Sequence, residues 1–433
     1  MATILIYEDS VHRKQFDRRI LKYDNRQDTF TNWSMYGGNT GNKVFLSAIE
    51  QYVTLPYNTV IHMSELESNN MHVEYDYIIE GASNLINPFY SQRIEERISF
   101  YSKQSKPIFV LGLGIQARNQ EELNLIKYKH GDLIKQYVDV IYRSGGRIST
   151  RGYITKEFLE TLTGVNVDAL GCPSLYQNGR NLKVEKKIVS KGEFKYTLNG
   201  HSEDFKRKEY QRIFSEYIDN GWYIDQDEYM PLLLGNRENM EAFLENPIMI
   251  ARYYSYYLLE NFWTKGKMDI FWNIYDWSAF LLKHHIDFSF GSRIHGNIIA
   301  ILNGIPACVY AKDLRTREIA EYYDIPIFDS IIKKKDLFDI YNEIDYDNFN
   351  NNFGLRYDKF SNYLMKHCPD TNIDNSYFKL QIEKNKMAIY SHKYMDVPKA
   401  VQHRYEFNCH RYKMLEKVFV SGKKIREHIK YGG

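Results

Sequence analysis

The segment Phe290-Gly-Ser-Arg-Ile-His-Gly-Asn-Ile-Ile-Ala-Ile-Leu-Asn-Gly-Ile-Pro306 sets an arginine and a histidine two residues apart at the start of what reads as a strand-turn-helix unit. The run from Ile286 to Phe290 is aromatic and β-branched and stops at Gly291, which is a strand pattern. Ser292 is placed to cap a helix, Ile294, Ile298 and Ile301 recur at helical spacing, and Gly304 with Pro306 supplies the stop. Arg293 and His295 then fall in the first turn, where unpaired backbone N–H groups and the positive end of the macrodipole favour an anion. An arginine adds a bidentate grip on phosphate or carboxylate, and a histidine held neutral there suits proton transfer. On these residues alone a surface pair or a satisfied cap is the competing reading.

A pair like this is useful only if a scaffold holds it. Up to residue 175 short apolar runs alternate with helical patterns, the signature of a parallel α/β sheet. The expected strands are Thr3 to Tyr7, Tyr77 to Glu80, Pro107 to Leu113, Val138 to Arg143 and Val165 to Ala169. The expected helices are Lys43 to Val53, Ser91 to Ser102, Gln120 to Tyr128 and Ile154 to Leu162. Loops rich in glycine and small polar residues follow the strands: Tyr36 to Asn42, Gly81 to Asn84, Gly112 to Gln116 and Arg143 to Arg151. Ligands gather at such carboxyl ends. None of the loops is a dinucleotide fingerprint or a P-loop, and a tight βα turn accounts for any one of them taken singly.

A second block opens after the turn-rich Gly171 to Gly179, with strands expected near Trp222 to Ile224, Met268 to Phe271 and Pro306 to Tyr310. Its helices are expected at Glu238 to Phe243, Pro247 to Phe262, Ile274 to His284 and up to Tyr323. From 331 the pattern is helical and aromatic. The domains read as 1–178, 179–330 and 331–433. If both blocks are Rossmann-like, Arg147, Arg151, Arg293, His295, Lys312, Arg315 and Arg317 converge on one cleft that selects a small polyanion. Taken without a fold, Lys312, Arg315 and Arg317 read as a solvated helix start.

The 433 residues are 43% apolar and 26% charged, globular values that favour more than one domain. A formal charge of +2 leaves no nucleic-acid footprint. The four cysteines are dispersed with no metal-ligand or disulfide pattern, which points to reducing cytosol. The N-terminus reads as a first strand and not as a secretory signal. From Arg411 to Gly433 there are seven Lys or Arg and two Glu around apolar residues at near-helical spacing. That segment reads as a packed terminal helix or as one lying on the inner, anionic face of a membrane.

The stretch Phe290 to Phe328, with Gly-Ser-Arg-Ile-His-Gly, Asn-Gly-Ile-Pro and Asp-Leu-Arg-Thr-Arg-Glu, resembles the C-terminal signature of the polysaccharide pyruvyl transferase family. Asn39 to Asn42, Glu80 to Ser83, Leu111 to Gly114, Ser149 to Gly152 and Gly171 to Ser174 follow in the family's order. The resemblance implies two Rossmann-like α/β lobes similar to GT-B glycosyltransferases, phosphoenolpyruvate as donor, no cofactor, and a glycan or its lipid-linked precursor as acceptor for a pyruvate ketal. It implies His295 and Arg293 as catalytic residues, with Arg151, Ser292, Gly296, Asn39, Asn42, Ser83, Lys312 and Arg315 binding substrate. The chain departs from the family pattern where Gly152 replaces an acidic residue, Asn42 replaces Asp, and Gly171-Cys172 replaces an Asp-Pro type of turn. A nucleotide-sugar glycosyltransferase and a non-catalytic glycan-assembly subunit are the alternatives.

Overall fold

The computed structural model describes residues 2–7, 39–55, 58–63, 74–82, 84–200, 204, 218–226, 265, 267–271, 274–328, 336–368, 370–373 and 376–385. The expected helices at Glu238 to Phe243 and Pro247 to Phe262, the basic segment from Arg411, and Ser83 lie outside them.

The first lobe runs β1 (Thr3–Tyr7), α1 (Thr40–Val53), β2 (Thr59–His62), β3 (Tyr77–Gly81), α2 (Gln92–Tyr101), β4 (Ile108–Leu113), α3 (Gln120–Arg143), β5 (Arg147–Thr150), α4 (Tyr153–Thr163) and β6 (Asp168–Ala169). Its six strands are all parallel, in the order β2-β1-β3-β4-β5-β6. Such a sheet is covered on both faces, and strand β4 is buried at every residue. After a buried 3-10 turn at Pro173–Asn178, the second lobe runs β7 (Tyr196–Asn199), β8 (Gly221–Asp225), β9 (Met268–Ile270), α5 (Ile274–Lys283), β10 (Phe288–Gly291), α6 (Ile294–Leu302), β11 (Ala307–Tyr310), α7 (Leu314–Tyr323) and β12 (Ile327–Phe328). This sheet is parallel too, in the order β12-β11-β10-β7-β8-β9. The two-lobed α/β architecture expected of a GT-B-like chain is therefore present. Each strand order reverses once, between β1 and β3 in the first sheet and between β7 and β10 in the second.

The helical C-terminal region is α8 (Leu337–Glu343), α9 (Asp347–His367) and α10 (Ser376–Asn385). Helix α9 returns to the first lobe, where Phe360 stacks on Tyr176 at 4.5 Å and meets Tyr52 edge-on at 5.6 Å. Lys359 Nζ adds a hydrogen bond to the Ala169 carbonyl at 2.9 Å, so the lobes share a buried aromatic seam.

Three local expectations fail, each for a packing reason. Val138 to Arg143 is not a strand: Ile134, Tyr137, Val138 and Ile141 keep the buried face of α3 going, and helical spacing overrides the β-branched content. The loop expected at Arg143 to Arg151 contains β5, whose Ile148, Ser149 and Thr150 are buried between β4 and β6. The strand expected at Val165 to Ala169 shrinks to Asp168–Ala169.

Candidate active site

Residues at the second lobe's reversal point build the turn that carries Arg293 and His295. Gly291 ends β10 in register with Asn199, the last residue of β7. Its φ is +154°, and a Cβ there would lie 1.5 Å from the Asn199 carbonyl oxygen, so only glycine lets the strands close. The Asn199 carboxamide accepts from Arg293 N–H at 3.0 Å and donates to Asn297 Oδ1 at 3.1 Å. Asn297 donates in turn to the Gly291 carbonyl at 3.0 Å and accepts from Ser289 Oγ at 2.9 Å. Strand, turn and helix are thereby locked into one unit, with Gly296 packed on the Asn199 side chain.

Ser292 is not the N-cap. Arg293 holds that position without a side-chain bond, while the Ser292 hydroxyl donates to the buried carboxylate of Asp204. Asp204 also receives Lys312 Nζ at 3.3 Å, so Ser292 and Lys312 meet through it. Burial lowers the Lys312 ammonium's pKa, and Asp204 opposes that effect.

His295, two residues into the helix, is buried. Burial comes first, then the guanidiniums of Arg151, Arg315 and Arg293, in holding its imidazole well below the usual histidine range. Arg151 follows β5 and is 1% exposed; its Nε donates to the Gly112 carbonyl at 2.7 Å and its guanidinium lies 5.0 Å from the Phe45 ring. Arg315, in the first turn of α7, reaches Asp313 Oδ2 at 3.3 Å. Arg151 Nη2 and Arg315 Nε are buried donors with no hydrogen-bond partner among the described residues. Buried donors are nearly always satisfied, so two open guanidinium donors beside a suppressed histidine form a socket shaped for an anion.

The N-terminus of α1 closes the opposite side. Thr40 N–H donates to the Gln226 carbonyl at 2.8 Å across the lobes. A Cβ on Gly41 would lie 2.3 Å from Gln226 Oε1 and 3.2 Å from His295 Cβ, so glycine permits this approach. Asn39 caps α1 by accepting from Gly41 N–H at 2.8 Å, and the half-buried Asn42 follows in the same turn. Thr40 Oγ1 and Gln226 Nε2 are also buried without partners among the described residues.

Two further groups were not singled out from the sequence. The Cys172 thiol lies 4.0 Å from His295 Nε2 and 3.0 Å from Ser174 Oγ. Glu318 crosses from α7 to the first turn of α4, where its carboxylate accepts from Thr155 N–H at 2.9 Å and Thr155 Oγ1 at 2.7 Å. Burial pushes its carboxyl up to about 7 against those bonds and the nearby Arg151 and Arg315. Both residues sit inside quoted motifs, Gly171 to Ser174 and Asp313 to Glu318, which was the available signal. Nothing local marks Gln226 or Asp204.

Of the seven groups expected to converge, Arg151, Arg293, His295 and Arg315 do, and Lys312 joins through Asp204. Arg147 begins β5, at the opposite end of the strand from Arg151, and its guanidinium lies 5.3 Å from the Tyr142 ring. Arg317 pairs with Glu321 at 3.4 Å on the outer face of α7. Among the described residues no group of three or more His, Cys, Asp or Glu is placed to hold a metal ion. Nor is any helix there long and apolar enough to cross a membrane.

Solved structures similar to this chain include the UDP-GlcNAc 2-epimerase of Methanocaldococcus jannaschii in complex with UDP-GlcNAc and UDP. It is 10% identical, covers 83% of this chain and 99% of its own, and has a TM-score of 0.35. The glycosyltransferase SnogD of Streptomyces nogalater is 11% identical over 88% and 99%, at 0.32. The wall teichoic acid polymerase TagF is 10% identical over 89% of both chains, at 0.34. No curated protein matches. The family model for polysaccharide pyruvyl transferase matches residues 3–313, a span that takes in the first lobe, most of the second, and Arg151, Arg293 and His295 of the cation socket, and the chain belongs to that family.

Proposed function

We propose that this transferase moves the pyruvyl group of phosphoenolpyruvate onto two hydroxyls of a polysaccharide or its lipid-linked precursor, closing a cyclic ketal. The observation that carries this reading is the buried histidine ringed by three guanidiniums, two of them with open donors. Phosphoenolpyruvate carries a phosphate and a carboxylate on one carbon, which suits converging arginine forks. Arg151 and Arg315 take the anion, and Arg293 adds a third guanidinium fork from the helix start.

The socket also sets the timing of proton transfer. In the unliganded protein burial first, and the three cations after it, keep His295 neutral. A bound trianion offsets them, and the imidazole then takes a proton it can deliver to the methylene carbon. Protonation makes a carbon centre with oxocarbenium character. The first sugar hydroxyl attacks it, the C–O bond to phosphate breaks, and the second hydroxyl closes the ring. The two hydroxyls release two protons; one is retained in the new methyl group and one leaves on hydrogen phosphate, so the cycle balances. Cys172 Sγ, 4.0 Å from Nε2, packs against that side of the ring.

The test is phosphate release from phosphoenolpyruvate with and without lipid-linked glycan, with nucleotide-sugars run in parallel. Phosphate freed only with acceptor, and abolished in His295→Ala with the circular dichroism unchanged, is the expected result. Nucleotide release would assign a glycosyltransferase, and silence in all mixtures a non-catalytic subunit.

A further inference from the structure

The first sheet's reversal point carries a feature that the cation socket does not use. The loop after β3 presents two large aromatic side chains to solvent, Phe89 at 66% and Tyr90 at 68% exposure, with ring centroids 6.3 Å apart. Exposed rings of this size normally fold inward onto apolar neighbours. Here the backbone prevents it. Asn87 is buried at 5% exposure, and its Oδ1 accepts from both Phe89 N–H and Tyr90 N–H at 2.9 Å. Just upstream, Ile86 bridges to Ile115 beyond the end of β4, and its carbonyl accepts from Gln116 N–H at 2.8 Å. The loop is clamped, and the rings are held outward.

That clamp is also wired to the socket. Ile115 N–H donates to Thr155 Oγ1 at 3.1 Å, the same hydroxyl that bonds Glu318, and Arg151 N–H donates to the Leu113 carbonyl at 3.0 Å. In a doubly wound sheet, ligands lie across the carboxyl edge at the reversal point, and this loop stands there, on the edge that also carries Arg151.

We infer that Phe89 and Tyr90 form a stacking platform for the pyranose rings that flank the reacting sugar of the acceptor. The chain belongs to a family that modifies polysaccharides, so its acceptor extends beyond one residue and must lie along this edge when one diol reaches His295. Axial C–H faces of a pyranose pack on aromatic rings while the hydroxyls stay in water, which fits rings that are rigid and half-wet. The inference rests on the acceptor side of the proposed function and is independent of the donor.

The test is binding without turnover. Cellohexaose, maltohexaose, mannohexaose, chitohexaose and the matching disaccharides are titrated calorimetrically into wild type, Phe89→Ala/Tyr90→Ala and the ring-retaining Phe89→Tyr/Tyr90→Phe. The expected result is binding of at least one hexasaccharide that weakens about tenfold in the double alanine variant, about 1.4 kcal/mol, with disaccharide binding little changed and the ring-retaining variant like wild type. Equal hexasaccharide binding by wild type and the double alanine variant, or no binding of any sugar by wild type, overturns it. So does wild-type adhesion to vesicles of equal phosphatidylglycerol and phosphatidylethanolamine that is lost in the double alanine variant, since the rings would then be a membrane contact. If the rings bind sugar but phosphoenolpyruvate yields no phosphate, the platform stands and the donor assignment falls.

Discussion

Glu318→Gln tests whether the lobes meet through a carboxyl group that the fold strains. The group is 2% exposed and accepts two hydrogen bonds from Thr155, yet burial raises its pKa from 4.5 to about 7. A raised carboxyl penalises the folded state wherever the unfolded chain is already ionised. Below pH 4.5 both states hold the proton and there is no penalty. Between pH 4.5 and about 7 the unfolded chain releases its proton first, so stability falls as pH rises; above that the loss is constant. At about 1.4 kcal/mol for each pH unit, the full loss is roughly 3 kcal/mol. Glutamine cannot titrate. It keeps an acceptor for Thr155 N–H, and its amide N–H can donate to Thr155 Oγ1, which has a second lone pair beside the one that serves Ile115 N–H.

The assay is urea unfolding of both proteins from pH 4.5 to 8.5, read as the difference between the two stabilities. That difference cancels every other titrating group. It should decline across the acid half of the range and then level off, with the glutamine variant gaining relative stability at alkaline pH. Adding phosphoenolpyruvate should stretch the decline to higher pH, because the donor takes over the charges of Arg151 and Arg315 that help keep Glu318 ionised. A flat difference would refute the reasoning, since it would mean that the two arginines hold the carboxylate ionised throughout.

Arg293→Lys should raise the KM for phosphoenolpyruvate about tenfold with kcat less affected, because a point charge replaces a fork; an unchanged KM would remove Arg293 from the donor site. Gly291→Ala should yield little folded protein, since its Cβ would meet the Asn199 carbonyl at 1.5 Å, a clash worth upwards of about 4 kcal/mol; a soluble variant with wild-type melting would refute the close approach. Donor binding should be accompanied by proton uptake, measured by calorimetry in buffers of different ionisation enthalpy, as His295 regains its proton. The uptake should shrink in Arg315→Met, where one suppressing charge is already gone, and equal uptake in both proteins would separate Arg315 from His295.

Strands made of one short apolar run were legible: β1, β3, β4 and β10 fall within a residue or two of their sequence reading. The failures lie where composition and partner disagree. Val138 to Ile141 is strand-like residue by residue, yet it continues the buried stripe of a 24-residue helix. Ile148 to Thr150 is too short and polar to announce a strand, and becomes one because β4 and β6 flank it. Strand β7 was missed for the same reason: Tyr196 to Asn199 acquires its meaning from β10, roughly 90 residues away, which no local window contains.

The candidate site divides along the same line. Arg293 and His295 were legible because helix start, dipole and side chain are local to one segment. Arg151 was legible only as one of seven groups that converge if both blocks are Rossmann-like, and then through the resemblance, since what makes it more than a surface cation is the Gly112 carbonyl and the Phe45 ring that bury it beside Arg315. Ser292 illustrates the converse error. A serine ahead of a helix caps it by default, but here Asp204 offers a buried, charged acceptor, and a hydrogen bond to a charged group outweighs a neutral cap by about 1 kcal/mol. Once Ser292 is withdrawn, the first N–H groups of α6 are left without that side chain, and Arg293 N–H is satisfied from β7 instead. The turn that looked like a self-contained anion site is therefore held by the second sheet's reversal point and completed by the first lobe. That is why its chemistry depends on two lobes being correctly joined, and why Glu318, the carboxyl that joins them, is the residue on which the reasoning is most exposed to refutation.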